Sequence, residues 1–173
     1  MTYEQAKQIL DNIDKVPYPK LQNVVKNPLY ARSLYDDFSG DMGELSAITQ
    51  YVYEHIDNND DQNISRIMLS VAIVEMRHLD IVGSLIKKLG LPPHYVNSGL
   101  TNWNSTYVKY NTGDIKETMK YNIYTEKKAI EGYRKAIRRT NNISIKRLLN
   151  RIIMDEKTHI EIFTRIMKEN ENK

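Results

Sequence analysis

Among the residues whose side chains could take part in chemistry, one short pattern occurs twice. The copies are Glu75-x-x-His78 and Glu156-x-x-His159. Residues three apart share one face of an α-helix, so each copy would present a carboxylate and an imidazole in the same direction. A further glutamate precedes each copy at almost the same distance, Glu44 before Glu75 and Glu126 before Glu156. The chain therefore carries a weak internal duplication in which each half supplies three candidate ligands.

These six side chains together make a donor set for two divalent cations. Four buried carboxylates are too costly to keep ionised without compensation, because removing each charge from water is strongly unfavourable. Two divalent cations would neutralise the four carboxylates, and two imidazoles would complete the set. Oxygen-rich ligands with one nitrogen per metal suit manganese or iron. The pattern predicts two Mn or two Fe ions per chain and does not choose between them. The alternative is a bundle whose buried Glu–His pairs hydrogen-bond to each other without metal.

Four long segments without internal proline are predicted to be the helices that carry these residues. They run over Tyr30–Asp57, Asn63–Leu89, Asp114–Arg139 and Ser144–Lys168. In the second and fourth segments, inward-facing positions recur in alternating steps of four and three, and the Glu and His of each pair occupy that face. Each of the four glutamates falls about midway along its segment. Packing the helices antiparallel would therefore bring all four to one height.

The connections between these segments predict an all-α fold with the topology of a ferritin-like four-helix bundle. Short loops join the first segment to the second and the third to the fourth, whereas one long crossover spans residues 90–113 between the second and third. One long crossover among short antiparallel connections is the ferritin-like arrangement. We predict a single domain over residues 1–173. Residues 1–29 form a short N-terminal helix with its lead-in, and residues 30–168 form the bundle.

Composition narrows the function classes. The chain has no cysteine, which excludes disulfides, thiolate catalysis and cysteine-ligated metal centres. It has no apolar run long enough to span a membrane, so we expect a soluble, cytoplasmic protein with no membrane partner. Seven basic and no acidic residues lie between Arg134 and Arg151. Without interleaved aromatic residues, this run is interpreted as a solvated surface, and a nucleic-acid partner is not expected.

Three stretches of the chain resemble known proteins. Residues 43–55, GELSAITQYVYEH, are similar to the first helix of rubrerythrins and bacterioferritins. Residues 27–46 and 103–114 look like the manganese catalase-like branch of the ferritin-like dimetal-carboxylate superfamily, including its short spore-coat members. Departures from the relatives also occur. Ala129 stands where rubrerythrins carry a further glutamate, and only positions 160–173 follow His159, so neither a fifth helix nor a long C-terminal extension is expected.

The resemblance implies roles for the candidate ligands. His78 and His159 would be terminal ligands, one per metal, while Glu75 would bridge the metals. Glu44 and Glu126 would be terminal carboxylates.

Two further roles remain open. Glu156 is either a second bridge, as in bacterioferritins, or an unbound acid–base group, as in manganese catalases. Tyr51, two turns after Glu44, would hydrogen-bond to a metal-bound group; alternatively, it is one of 12 tyrosines that fill the core.

The implied function is catalase-like disproportionation of hydrogen peroxide by a dinuclear manganese or iron oxidoreductase. The alternatives are a rubrerythrin-like peroxidase that needs a separate electron donor protein, a bacterioferritin-like ferroxidase or iron-storage subunit that uses dioxygen, and a structural coat protein with a metal-stabilised core. Haem is not expected, although Met76 occupies the position of a haem ligand in some bacterioferritins. The resemblance further implies a homo-oligomer, and it allows a spore-coat location.

Overall fold

Four long helices carry the fold, and three shorter ones precede them. The computed structural model describes residues 1–110 and 113–170; residues 111–112 of the predicted crossover and 171–173 of the predicted domain lie outside this part. The helices are α1 (Tyr3–Asp14), α2 (Pro28–Ser33), α3 (Tyr35–Ser39), α4 (Glu44–Asp57), α5 (Gln62–Leu89), α6 (Ile115–Arg138) and α7 (Ile143–Glu169). Within the described residues, every helix is too short or too polar to pass through a lipid bilayer.

The helices pair as the loop lengths predict. Helix α4 packs along α5 and α6 packs along α7, each pair joined by a four-residue connection that makes the two helices antiparallel neighbours. Helix α5 also contacts α7, and α1 lies against both of them. The predicted all-α, ferritin-like bundle with a short N-terminal helix is therefore confirmed.

The predicted first helix, Tyr30–Asp57, is wrong as a single element, because the chain breaks it into α2, α3 and α4. Two glycines cause the break. A Cβ atom at either Gly40 or Gly43 would lie 2.6 Å from the backbone oxygen of Asp36, so only glycine allows this tight turn. Helix α4 consequently begins at Glu44. Unlike the other three glutamates, which lie near the middle of their helices, Glu44 lies in the first turn of its helix.

The crossover is fastened to α4. It starts at Gly90, which ends α5 in the left-handed conformation with φ of 104°. The indole Nε1 of Trp103 donates a hydrogen bond of 2.9 Å to Ser46 Oγ. The side-chain amide of Gln50 accepts from the backbone N–H of Lys109 at 2.7 Å and donates to its carbonyl at 3.0 Å. The described residues of the crossover therefore pack against one side of the bundle.

The core consists of two apolar clusters separated by a polar layer. On α5, Glu75 and His78 lie between Val71 of one cluster and Val82 of the other. On α7, the same alternation places Glu156 and His159 between Ile153 and Ile162. Charged side chains thus occupy a single layer at mid-height, with apolar packing on both sides of it.

We predict that Gly43→Ala destabilises the protein by about 1–3 kcal/mol, because the new methyl group would overlap three backbone atoms. Urea denaturation followed by circular dichroism measures the change. Gly99→Ala is the matched control, since its Cβ would meet only the side-chain end of Asn97. Equal stability of the two variants would contradict the explanation of the helix break.

Candidate metal centre

Six side chains converge in the polar layer, and they are the six that the sequence pattern singled out. Their ligand atoms form two groups, and within each group all atoms lie within 4.8 Å of one another. None of the six residues is more than 3% exposed. The first group comprises Glu44, Glu75, His78 and Glu156, and the second comprises Glu75, Glu126, Glu156 and His159. Two carboxylates, those of Glu75 and Glu156, are common to both groups.

The two shared carboxylates reach both histidines, one oxygen to each. Glu75 Oε2 lies 2.8 Å from His78 Nδ1, and Glu75 Oε1 lies 2.9 Å from His159 Nδ1. Glu156 repeats the arrangement at longer range, with Oε1 3.2 Å from His78 Nδ1 and Oε2 3.1 Å from His159 Nδ1. Both histidines therefore turn Nδ1 towards the centre of the layer.

The two remaining glutamates flank the layer, and each accepts a hydrogen bond from a buried tyrosine on the other's helix. The Tyr51 hydroxyl on α4 donates to Glu126 Oε1 on α6, and the Tyr133 hydroxyl on α6 donates to Glu44 Oε1 on α4. Sequence reasoning singled out Tyr51 but missed Tyr133. The signal was available, since Tyr133 follows Glu126 at the same spacing as Tyr51 follows Glu44.

Burial and mutual charge set the protonation of the layer. Burial raises the pKa of Glu44 and Glu126 well above its ordinary value, and repulsion from Glu75 adds to this. Burial alone would lower the pKa of His78 and His159, but the surrounding carboxylates raise it well above the usual range. Burial would raise the pKa of Glu75, but attraction by the two histidines lowers it instead. The layer therefore favours positive charge strongly, as protons or as cations.

The donor set fits a pair of metal ions. Several buried ligand atoms lie close to one another but make no hydrogen bond of acceptable geometry among the described residues: Glu75 Oε1, both carboxylate oxygens of Glu156, and His159 Nδ1. Such atoms are costly to bury unless something else satisfies them. Four carboxylates and two imidazoles, with two carboxylates common to both groups, match the oxygen-rich sets that hold manganese or iron.

A narrow cavity between α4 and α6 leads to the layer. It passes Asp41, Tyr107 and Tyr121 and reaches the carboxylates of Glu44, Glu75, Glu126 and Glu156. Ala129 and Tyr51 also line it. The space open to the centre of a water-sized molecule is only about 20 Å³, which admits one or two small molecules.

Behind His78 lies a buried carboxylate that sequence reasoning missed. Asp155 Oδ2 is 3.0 Å from His78 Nε2, on the side of the ring that faces away from the layer. Arg151 forms an ion pair with Asp155 and is 3% exposed. The prediction that the basic run from Arg134 to Arg151 is solvated is therefore wrong for its last member, which is needed inside to compensate a buried charge.

Met76, which occupies the position of a haem ligand in some bacterioferritins, is 45% exposed. It lies on the outer surface of α5, away from the buried layer.

The comparisons with known proteins agree with this fold. A family model described as rubrerythrin matches residues 42–167. A probable manganese catalase from Clostridium acetobutylicum is 27% identical over 168 residues, covering 85% of this chain and 74% of its own. The crystal structure of a manganese catalase from Anabaena superposes with a TM-score of 0.81 at 25% identity, covering 90% of this chain and 78% of its own. The bacterioferritin of Desulfovibrio desulfuricans has a TM-score of 0.64 at 22% identity, over 98% of this chain and 84% of its own, and shares the fold.

The suspected superfamily, with its manganese catalase-like branch, is thereby confirmed. Since the family model matches well over half of the chain, the protein belongs to the rubrerythrin family of ferritin-like proteins.

Proposed function

We propose that this chain is a dinuclear manganese or iron oxidoreductase that disproportionates hydrogen peroxide into dioxygen and water. The observation that carries the proposal is the pair of overlapping ligand groups that share Glu75 and Glu156 at the inner end of a narrow cavity. The likeness to manganese catalases over most of the chain supports it. A small-molecule substrate, a homo-oligomeric state and a cytoplasmic or spore-coat location belong to the same proposal.

The positions of the side chains support the following ligand roles. His78 and Glu44 would hold one metal, and His159 and Glu126 would hold the other. Glu75, whose oxygens lie closest to the two histidines, would serve both metals. Manganese or iron held by these residues would supply two-electron redox chemistry.

The hydrogen bonds of Tyr51 and Tyr133 keep the outer carboxylates in place. At Glu44 the phenol of Tyr133 occupies Oε1, and Oε2 lies 3.5 Å from His78 Nδ1. At Glu126 one oxygen, Oε1, both accepts from Tyr51 and lies 3.5 Å from His159 Nδ1. The crossed pairing also fixes the spacing of α4 and α6, and hence the width of the cavity between them. These tyrosines therefore act on the geometry of the site.

Glu156 is the carboxylate with capacity left to handle protons. Disproportionation removes protons from one peroxide and supplies them to the other, so a base near the substrate is required. Glu44 and Glu126 each accept a tyrosine hydrogen bond, and Glu75 Oε2 pairs with His78 Nδ1 at 2.8 Å. Neither oxygen of Glu156 has a hydrogen-bond partner among the described residues, and the side chain lines the cavity. We assign Glu156 the acid–base role, with its carboxylate accepting a proton and giving it back.

The narrow cavity suits peroxide better than larger reductants. The room in it for the centre of a water-sized molecule is about 20 Å³, which suits a molecule as small as hydrogen peroxide better than an organic electron donor. The chain also has no cysteine with which to hold an electron-transfer iron of its own. Both observations favour a reaction in which peroxide is the oxidant and the reductant, over a peroxidase that depends on a donor.

We predict two metals per chain. His78→Ala and His159→Ala remove one nitrogen ligand each, so each variant should retain one metal or none and melt at a lower temperature than the loaded wild type. Elemental analysis and thermal melting measure both effects. His94→Ala, in the exposed part of the crossover, is the matched control and should keep two metals. Two metals and an unchanged melting temperature in either site variant would refute the assignment.

We predict oxygen release from hydrogen peroxide without added reductant, in proportion to metal content. An oxygen electrode records the rate for samples loaded to different extents with Mn²⁺ or Fe²⁺. Consumption of peroxide only in the presence of an electron donor would instead support the peroxidase. Uptake of hundreds of iron ions per particle would support storage, and the absence of any turnover at full loading would support a structural role.

For Glu156→Gln, we predict retained metal and turnover slower by about 10²–10⁴-fold, because the amide cannot accept the proton. Glu75→Gln provides the comparison, since loss of a bridging anion should release metal. Glu161→Gln, on the exposed face of the same helix, is the control and should behave as wild type. Metal loss in Glu156→Gln equal to that in Glu75→Gln would show that Glu156 is a second bridge.

A further inference from the structure

The two histidines of the layer differ in what lies behind them. His78 Nε2 faces Asp155 Oδ2 at 3.0 Å. His159 Nε2 is equally buried but has no hydrogen-bond partner among the described residues. The internal duplication explains the difference, since Asp155 directly precedes Glu156, whereas the corresponding residue before Glu75 is Val74. One half of the bundle thus carries a carboxylate that the other half lacks.

Asp155 is held in place from two sides. Arg151 Nη1 lies 2.5 Å from Asp155 Oδ1, one turn back along α7. The hydroxyl of Tyr18 donates a hydrogen bond of 2.6 Å to Asp155 Oδ2, the same oxygen that faces His78. With charge compensated by Arg151 and orientation fixed by Tyr18, the carboxylate is set to accept the Nε2–H of His78.

Tyr18 belongs to a segment that we name the N-terminal strap, residues 13–18, which runs across α5 and α7. Arg151 donates to the carbonyl of Val16 at 2.7 Å and to that of Ile13 at 2.8 Å. An ion pair between Asp14 and Arg77 fastens the strap to α5. The strap lies outside residues 42–167, where the family model matches. Its contacts nevertheless hold Asp155, which is the hydrogen-bond partner of the candidate metal ligand His78.

We propose that Tyr18 and Asp155 are positioning residues for His78, and that they make the two metal positions unequal, with the His78 position the tighter one. This inference rests on the proposed dinuclear centre. A neutral histidine that binds a metal through Nδ1 carries its proton on Nε2. At His78 that proton has an acceptor, whereas at His159 the same N–H is buried without one among the described residues, which weakens binding. The strap thereby contributes to metal affinity from outside the bundle.

Graded chelation of the full-length protein tests the inequality. Protein loaded with Mn²⁺ is equilibrated against rising chelator concentrations, and metals per chain are counted by elemental analysis. We expect wild type to lose its metals in two steps. Asp155→Asn should move the second, tighter step to about 10–100-fold lower chelator concentration, and Tyr18→Phe should move it by about tenfold, with the first step unchanged.

Paired variants identify the position affected. Combined with His159→Ala, Asp155→Asn should show its full effect, whereas combined with His78→Ala it should show none. Asp14→Asn is the matched control for the strap, because it removes the ion pair with Arg77, while the hydrogen bond from Tyr18 to Asp155 does not involve Asp14. Thermal melting of the metal-free variants checks that Tyr18→Phe remains folded.

The outcomes separate the possible roles. A single-step loss in wild type, equal weakening of both steps in Tyr18→Phe, or the same change in Asp14→Asn would overturn the inference and leave the strap a purely structural element. Failure of wild type to bind either Mn²⁺ or Fe²⁺ would overturn the dinuclear centre itself. Full loading with two unequal steps but no oxygen release would leave the inference standing and overturn only the catalase activity.

Discussion

The burial of four carboxylates at mid-height in an apolar bundle is the constraint on which the rest of the structure depends. Their mutual repulsion and lost hydration must be compensated by hydrogen-bond donors and positive charge. Two phenols and two imidazoles supply part of this compensation within the chain, and an ion-paired aspartate supports one of the imidazoles. Several oxygens remain without a hydrogen-bond partner among the described residues, which is the signature of a site built for cations. Apolar clusters pack against the layer above and below it.

The two sides of the layer that the apolar clusters leave uncovered differ in their access to solvent. On the side of α4 and α6, the crossover packs over the helices but leaves a narrow cavity that reaches the carboxylates. Towards α5 and α7, α1 and the N-terminal strap close the surface, and Tyr18 and Arg151 fill the space behind His78. The histidines accordingly belong to the closed side and the carboxylates to the accessible one. Small molecules can approach the reactive groups without disturbing the partner of His78.

The residues that could be predicted from sequence are those that repeat at helical spacing. The Glu-x-x-His pairs and the alternating apolar steps located the layer, the long helices and the crossover. The break before Glu44 could not be predicted in this way, because it depends on backbone atoms of residues 36–40 that approach Gly43 in three dimensions. Tyr18 was equally hidden, since its partner Asp155 lies 137 residues away and neither residue belongs to a periodic pattern. Tyr133 was within reach, as a repetition of the spacing between Glu44 and Tyr51.

The crossed tyrosines also bear on the order in which the molecule assembles. Tyr51 and Glu126 are 75 residues apart, and Tyr133 and Glu44 are 89 apart, whereas the contacts within each hairpin are local. Closing such long loops costs more entropy than forming a hairpin. Each hairpin contains one of the two crossed tyrosines and three candidate ligands, yet the phenol that hydrogen-bonds to its outer glutamate comes from the other hairpin. In an isolated α4–α5 or α6–α7 hairpin, the outer glutamate therefore lacks its tyrosine partner. The complete layer forms only when the two hairpins dock together.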